Sequence, residues 1–143
     1  STRRLQMASW SIGMAQRALD MMLEYAPQRV VFGEPLANRQ SVQWWIADAY
    51  TRIKAATLMT YETAWKLDRG ADVRTDISAV KAYATEMAYE VLDHAMQLYG
   101  AMGVTKELPL SLMSGHLRTM RIYDGPTEVH KWVVARNLLG LKR

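Results

Sequence analysis

Three long stretches of this chain repeat apolar residues at spacings of three and four, and that rhythm restricts the fold more than anything else in the sequence. Leu5, Ala8, Ile12, Ala15, Leu19 and Met22 mark the first stretch. Val42, Trp45, Ala49, Ile53, Ala56, Thr60, Ala64 and Leu67 mark the second, and Ile77, Val80, Ala84, Met87, Val91, Ala95 and Leu98 the third. In a helix of 3.6 residues per turn such positions fall on one face, whereas a half-buried strand hides every second residue. Runs of the strand type are missing. The fold class is therefore all-α.

The residues between these stretches agree. Gly33 and Pro35 separate the first helix from the second, and "DRGADVRTD" (68 to 76) separates the second from the third. Gly70 suits the left-handed residue after a helix C-terminus, and Thr75 or Asp76 the N-cap that follows. "YGAMGVTKELP" (99 to 109) ends the third helix, a shorter helix covers 111 to 121, and a last one runs from 126 to 140 with Pro126 in its first turn. Long helices with short connections pack best as antiparallel neighbours. The expected architecture is an up-down four-helix bundle with a short extra C-terminal helix, forming one domain over residues 1–143. Its first pattern begins almost at Ser1, so the expectation is a domain cut from a larger protein.

Composition narrows the partners. Cysteine is absent, which excludes disulfides and thiolate chemistry and fits a reducing compartment without choosing one. The net charge of +4 raises nucleic acid as a partner, but the basic residues are dispersed, so none is expected. Charges interrupt every apolar stretch, so no membrane span is expected. His94, His116 and His130 lack metal-ligand spacing and no HExxH accompanies them, so no metal is expected. Ten Met beside one Phe indicate a core filled by long flexible side chains.

Three stretches admit two readings each. "APQRVVFGEPLANRQ" (26 to 40) is either a helix end, with Arg29 complementing the dipole and Gly33 as the stop, or a site that uses Arg29. "QLYGAMG" (97 to 103) is either a glycine-terminated helix or a place where Gly lets a ligand approach the backbone. In "YDGPTEVH" (123 to 130), Asp124 is either the cap of the last helix or an acid–base group.

Read in order, these motifs resemble the C-terminal domain of the acyl-CoA dehydrogenases along essentially the whole chain. "GMAQRALD" (13 to 20) is similar to the first helix of that domain, and "QRVVFGEPLANRQ" to the family's Arg-x-x-Phe-Gly stretch. "QLYGAMG" resembles its Gln-x-x-Gly-Gly-x-Gly stretch, and "RIYDGPTEVHKWVVAR" its closing Ile-Tyr-Glu-Gly-Thr segment. The resemblance implies an FAD-dependent oxidoreductase that removes the α-proton of a fatty acyl-CoA while the β-hydride passes to the flavin. It implies Asp124 as the base, with Arg29, Gln40, Gln97, Gly100, Ala101 and Glu128 at the cofactor. Arg4 and Gly125 fall near the substrate, and Arg136 supports the base loop. A homodimer or homotetramer is implied, with electron-transfer flavoprotein as acceptor and with an N-terminal helical domain and a middle β-domain outside these residues.

Asp stands where Glu is commoner, in the "DGPxEVH" form of one subgroup. Pro126 replaces a Thr that meets the flavin, and Val31 lacks a common hydroxyl. Some relatives carry the base on the first helix; the matching position here is Arg3, which cannot serve. The alternatives are a silent helical module for oligomerisation or partner binding, and an oxidase or monooxygenase of the same fold.

Overall fold

The computed structural model describes residues 2–141. Five α-helices account for most of them: α1 (Thr2–Tyr25), α2 (Gln40–Asp68), α3 (Arg74–Tyr99), α4 (Leu110–Met120) and α5 (Thr127–Leu138). Helix α3 is the axis of the domain and packs against all four others. Small residues make that possible. Ala8, Ala15 and Ala18 of α1 and Ala84, Ala88 and Ala95 of α3 are fully buried, and their short side chains let two helices lie close. Met7, Met22 and Met87 fill the remaining space.

Ring stacks and ion pairs give the helix directions. Tyr25 at the end of α1 stacks on Tyr99 at the end of α3, with ring centroids 4.2 Å apart, so these helices run the same way. Trp45 near the start of α2 stacks on His94 near the end of α3, and Lys66 near the end of α2 pairs with Asp76 at the start of α3. Helix α2 therefore runs opposite. Helix α4 returns along α1, where Ser11 Oγ lies 3.6 Å from Met120 Sδ. The result is up-down-up-down, with α5 as the extra helix against α3.

Two local expectations need correction. Residues 30–35 form a minimal antiparallel hairpin, β1 (Val30–Val31) and β2 (Glu34–Pro35), with Val30 opposite Pro35. Phe32 (φ 53°) and Gly33 (φ 82°) form its left-handed turn. Strands of two residues are too short to leave an alternating pattern, so sequence periodicity is blind to them. The N-terminus of α3 is not capped by Thr75 or Asp76. Asp72 Oδ1 accepts from the backbone N–H of Arg74 at 3.1 Å, while Asp76 is engaged with Lys66. Gly70 does take the left-handed conformation expected of it, at φ 75°.

Candidate functional site

The residues singled out by sequence gather at the two ends of the bundle. One end holds the 121–127 loop, pressed against the N-terminal halves of α1 and α3. The other holds the hairpin, the start of α2 and the end of α3. Lys81 lies under the loop and Gln97 at the far groove, and sixteen residues of helix separate them by roughly 24 Å at 1.5 Å per residue.

Asp124 is not a helix cap. The N-cap of α5 is Pro126, whose carbonyl accepts from His130 N–H, and no side chain caps this helix. Asp124 instead sits at φ 55°, followed by Gly125 at φ 100°, a pair of left-handed residues that turns the chain sharply. Its carboxylate is a quarter exposed, and Oδ2 lies 2.9 Å from Arg3 Nε. The two are close without hydrogen-bond alignment, so Oδ2 is buried with no hydrogen-bond partner among the described residues. Among those residues the backbone N–H groups of Asp124 and Gly125 also find no acceptor.

Neighbours hold the loop by its carbonyls. Lys81 is fully buried, and its Nζ donates to Gly125 O at 2.6 Å. Arg4 Nε donates to Asp124 O at 3.2 Å. His130 Nε2 stands 3.1 Å from the same oxygen, and since a carbonyl can only accept, Nε2 carries the proton and the buried Nδ1 is left bare. Burial pushes both Lys81 and His130 below their ordinary pKa, Lys81 despite the nearby Asp124 charge and His130 despite its bond to Asp124 O. His130 is consequently neutral near pH 7. Glu86 Oε1 ties the two ends of the loop, accepting from Arg121 Nε at 2.9 Å and Thr127 Oγ1 at 2.6 Å. Burial pushes the Glu86 carboxyl up, but the bonds from Thr127 and Arg121 outweigh it and hold the group below its ordinary value.

Sequence reasoning missed Lys81, Glu86, Thr127 and His130 as parts of this arrangement. Lys81 did leave a signal, because it is a cation beside Val80 and Ala84 on the apolar face of α3. Arg136 is misplaced by that reasoning. It lies in the last turn of α5, at the opposite end of that helix from the loop, stacked over Trp132 and donating to Leu141 O.

At the far end, a groove of about 570 Å³ is lined by Arg29, Arg39, Ser41, Gln97, Gly100 and Ala101, among others. Arg29 is not at a helix end. Helix α1 stops at Tyr25, and Arg29 immediately precedes β1, with no carboxylate partner among the described residues. Arg39 is engaged with Glu34 and with Val31 O. Helix α2 opens here with no side-chain cap and no acid in its first turn, so its free N–H groups and positive dipole end face the groove. Gly100, at φ 64°, adopts a conformation that suits glycine and has open space where a Cβ would stand. Gly103 is different: a Cβ there would come within 2.4 Å of Met96 O, so its bareness serves packing against α3 and no ligand. Gln40 is the exposed first residue of α2 and does not line the groove, whereas its neighbours Arg39 and Ser41 do. Glu128 is exposed in the first turn of α5, at the loop end. Among the described residues no group of His, Asp and Glu could hold a metal, and no helix is long and apolar enough to cross a membrane.

Comparison with known proteins gives the family. Residues 1–139 match the family model described as acyl-CoA dehydrogenase, C-terminal domain. The chain is 39% identical over 138 residues to (R)-benzylsuccinyl-CoA dehydrogenase of Thauera aromatica, covering 96% of this chain and 34% of that protein. Its fold is similar to butyryl-CoA dehydrogenase from Megasphaera elsdenii, with a TM-score of 0.90 and 33% identity over 95% of this chain and 36% of that one. It is also similar to the FAD complex of PigA, with a TM-score of 0.85 and 33% identity over 90% of this chain and 33% of that one. The chain thus spans about a third of the length of the curated relatives it matches.

Proposed function

The chain belongs to the acyl-CoA dehydrogenase family as its C-terminal domain, and on that premise we propose that Asp124 is the base that removes the α-proton of an acyl-CoA thioester. The observation that carries this reading is the way Asp124 is held. Lys81, Arg4 and His130 hold its loop by carbonyl oxygens and Glu86 ties the loop's two ends, while among the described residues the carboxylate caps nothing and Oδ2 meets only Arg3, without an aligned hydrogen bond. Structural aspartates spend their oxygens on the fold. This one leaves Oδ2 beside the exposed Arg3 alone, with no aligned donor among the described residues.

FAD, when bound, supplies a two-electron acceptor that takes the β-hydrogen with its electron pair. The groove at the far end fits the anionic portion of that cofactor: Arg29 is a planar cation without a carboxylate partner among the described residues, beside an uncapped helix N-terminus and the open Gly100 backbone. At the loop end, Asp124 accepts the α-proton as the carbon–carbon double bond forms. The free N–H groups of Asp124 and Gly125 are donors for the thioester oxygen, where negative charge builds. The separation of roughly 24 Å between the clusters leads us to assign them to different active sites, the Arg29 groove of one copy serving the flavin of another. The working protein is then a homodimer or homotetramer, with acyl-CoA as substrate and electron-transfer flavoprotein as acceptor.

Asp124→Asn in the full-length flavoprotein tests the assignment. FAD content should stay at the parent level while flavin bleaching by acyl-CoA falls by about a hundredfold to ten-thousandfold, the usual loss for a general base. An Asn variant that bleaches at the parent rate refutes it.

A further inference from the structure

Helix α2 has two apolar faces. Val42, Ala49, Ile53, Ala56, Thr60 and Thr63 are buried against the rest of the bundle. On the opposite face Trp44, Thr51, Leu58 and Trp65 lie seven residues apart, with Ala47, Lys54 and Tyr61 between them, and all seven are exposed. That is the spacing of a seam between two helices. Thr51 donates its hydroxyl to Ala47 O at 2.9 Å, and Lys54 turns aside over the ring of Tyr50, so neither interrupts the stripe. Trp44, Leu58, Tyr61 and Trp65, with Tyr50 at the edge, are each 57–69% exposed. Single exposed apolar side chains are ordinary; a stripe of roughly 32 Å, from Trp44 to Trp65, marks a contact surface.

The stripe selects its own occupant. It reads nearly the same from either end, with Trp at both ends and Thr51 and Leu58 on either side of the middle. A two-fold axis across α2 therefore pairs Trp44 with Trp65 and Thr51 with Leu58, twice over. At about 200 Å² for a whole large side chain, covering the exposed parts of these five on two copies removes on the order of 1,200 Å² from water, enough for a stable interface. Direction gives a second reason. Helix α2 runs from the end of the bundle that holds the Arg29 groove to the end that holds the 121–127 loop. The contacts of Trp45 with His94 and of Lys66 with Asp76 set Lys81 about level with Thr60 and Gln97 about level with Gln43. The two-fold axis then leaves Gln97 of one copy roughly 9 Å along the bundle from Lys81 of the other, in place of roughly 24 Å within one copy.

We propose that the outward face of α2 pairs antiparallel with α2 of a second copy, and that this seam brings the Arg29 groove of one copy to the active site of the other. The joining of the sites rests on the assignment of that groove to another copy's flavin; the seam itself does not.

Oxidative cross-linking of the full-length flavoprotein tests the seam. Positions 51 and 58 are two helical turns apart, too far for a disulfide within one copy. Thr51→Cys/Leu58→Cys should form a reducible covalent dimer in most of the protein, while each single variant behaves as the parent treated alike. Single variants that cross-link as well as the double would indicate parallel pairing, and a double variant no more cross-linked than the parent would mean that the faces do not meet. Either result overturns the proposal. Leu58→Glu puts a charge into the seam from an exposed position. Sedimentation at micromolar concentration should show the mass falling by half or more, with FAD affinity falling at least about tenfold as the groove is lost. A Leu58→Glu variant with the parent's mass and FAD affinity also overturns the proposal. If the cross-link forms but the dissociated Leu58→Glu protein binds FAD as the parent does, the seam stands, and its role in the site falls together with the assignment of the Arg29 groove to another copy's flavin.

Discussion

Two glycine-to-alanine substitutions should move stability in opposite directions, and the difference measures how tightly the loop under Asp124 is built. Gly125 sits at φ 100°, where an L side chain is strained, and a Cβ there would stand 2.7 Å from His130 Nε2, 3.1 Å from Cε1 and 3.3 Å from Cδ2. The backbone strain alone costs about 1–3 kcal/mol. His130 must also withdraw from the loop, which loosens its bond to Asp124 O, worth about 0.5–1.5 kcal/mol. Gly125→Ala should therefore destabilise by about 2–4 kcal/mol. Gly115, on the exposed side of α4, has nothing within 4 Å of its virtual Cβ. There the substitution only removes backbone freedom from the unfolded chain, and Gly115→Ala should stabilise by about 0.5–1 kcal/mol. For 143 residues the unfolding entropy is about 0.3 kcal/mol per degree, so Gly125→Ala should lower Tm by about 7–13 °C and Gly115→Ala raise it by about 2–3 °C. Far-UV circular dichroism at a single protein concentration reads both, the fixed concentration removing any effect of self-association. A Gly125→Ala variant within a degree or two of the parent would mean that the loop adapts freely, and the reasoning about its rigidity would be wrong.

Three further outcomes follow from the same contacts. Lys81→Met keeps the buried volume but leaves Gly125 O without its donor, so urea denaturation should show a loss of about 1–3 kcal/mol; a neutral result would mean that the carbonyl had found another partner. Acid should destabilise the domain in two stages. His130, held below its ordinary value of 6.5, leaves the unfolded chain to take up its proton first, so stability is full above that value and declines as pH falls through it; Glu86, held below 4.5, contributes above that value and loses its contribution as pH falls towards its folded value. His130→Gln should flatten the first stage and Glu86→Gln the second in denaturation curves taken across pH, and unchanged curves would discount these groups. Finally, Trp44, Leu58, Tyr61 and Trp65 are well exposed on α2, so the isolated chain should self-associate, and Leu58→Glu should shift light scattering towards monomer; a parent that is monomeric at every concentration refutes this.

The helices were legible in the sequence because helical periodicity is a local property. Each stripe needs only its own neighbours three and four residues away, and α1, α2 and α3 formed where the stripes lay. The all-α class followed, and the order of the motifs carried the family. Asp124 stood out for the same reason, as an acid wedged before Gly125 and Pro126, but its two possible roles look alike in one dimension. Tertiary structure separated them. The carbonyl of Pro126 opens α5, so Asp124 has no cap to make, and its loop is held by Lys81 and Glu86, which lie 44 residues from Gly125 and 41 from Thr127 along the chain. No spacing rule connects such distant positions, because only the parallel run of α1 and α3 beneath the loop brings them together. The same packing carried Arg136 away from the loop it was expected to support. It also set Arg3 against the carboxylate and put the Arg29 groove at the other end of α3. Sequence marked which residues had chemistry to offer; the bundle decided which of them could meet.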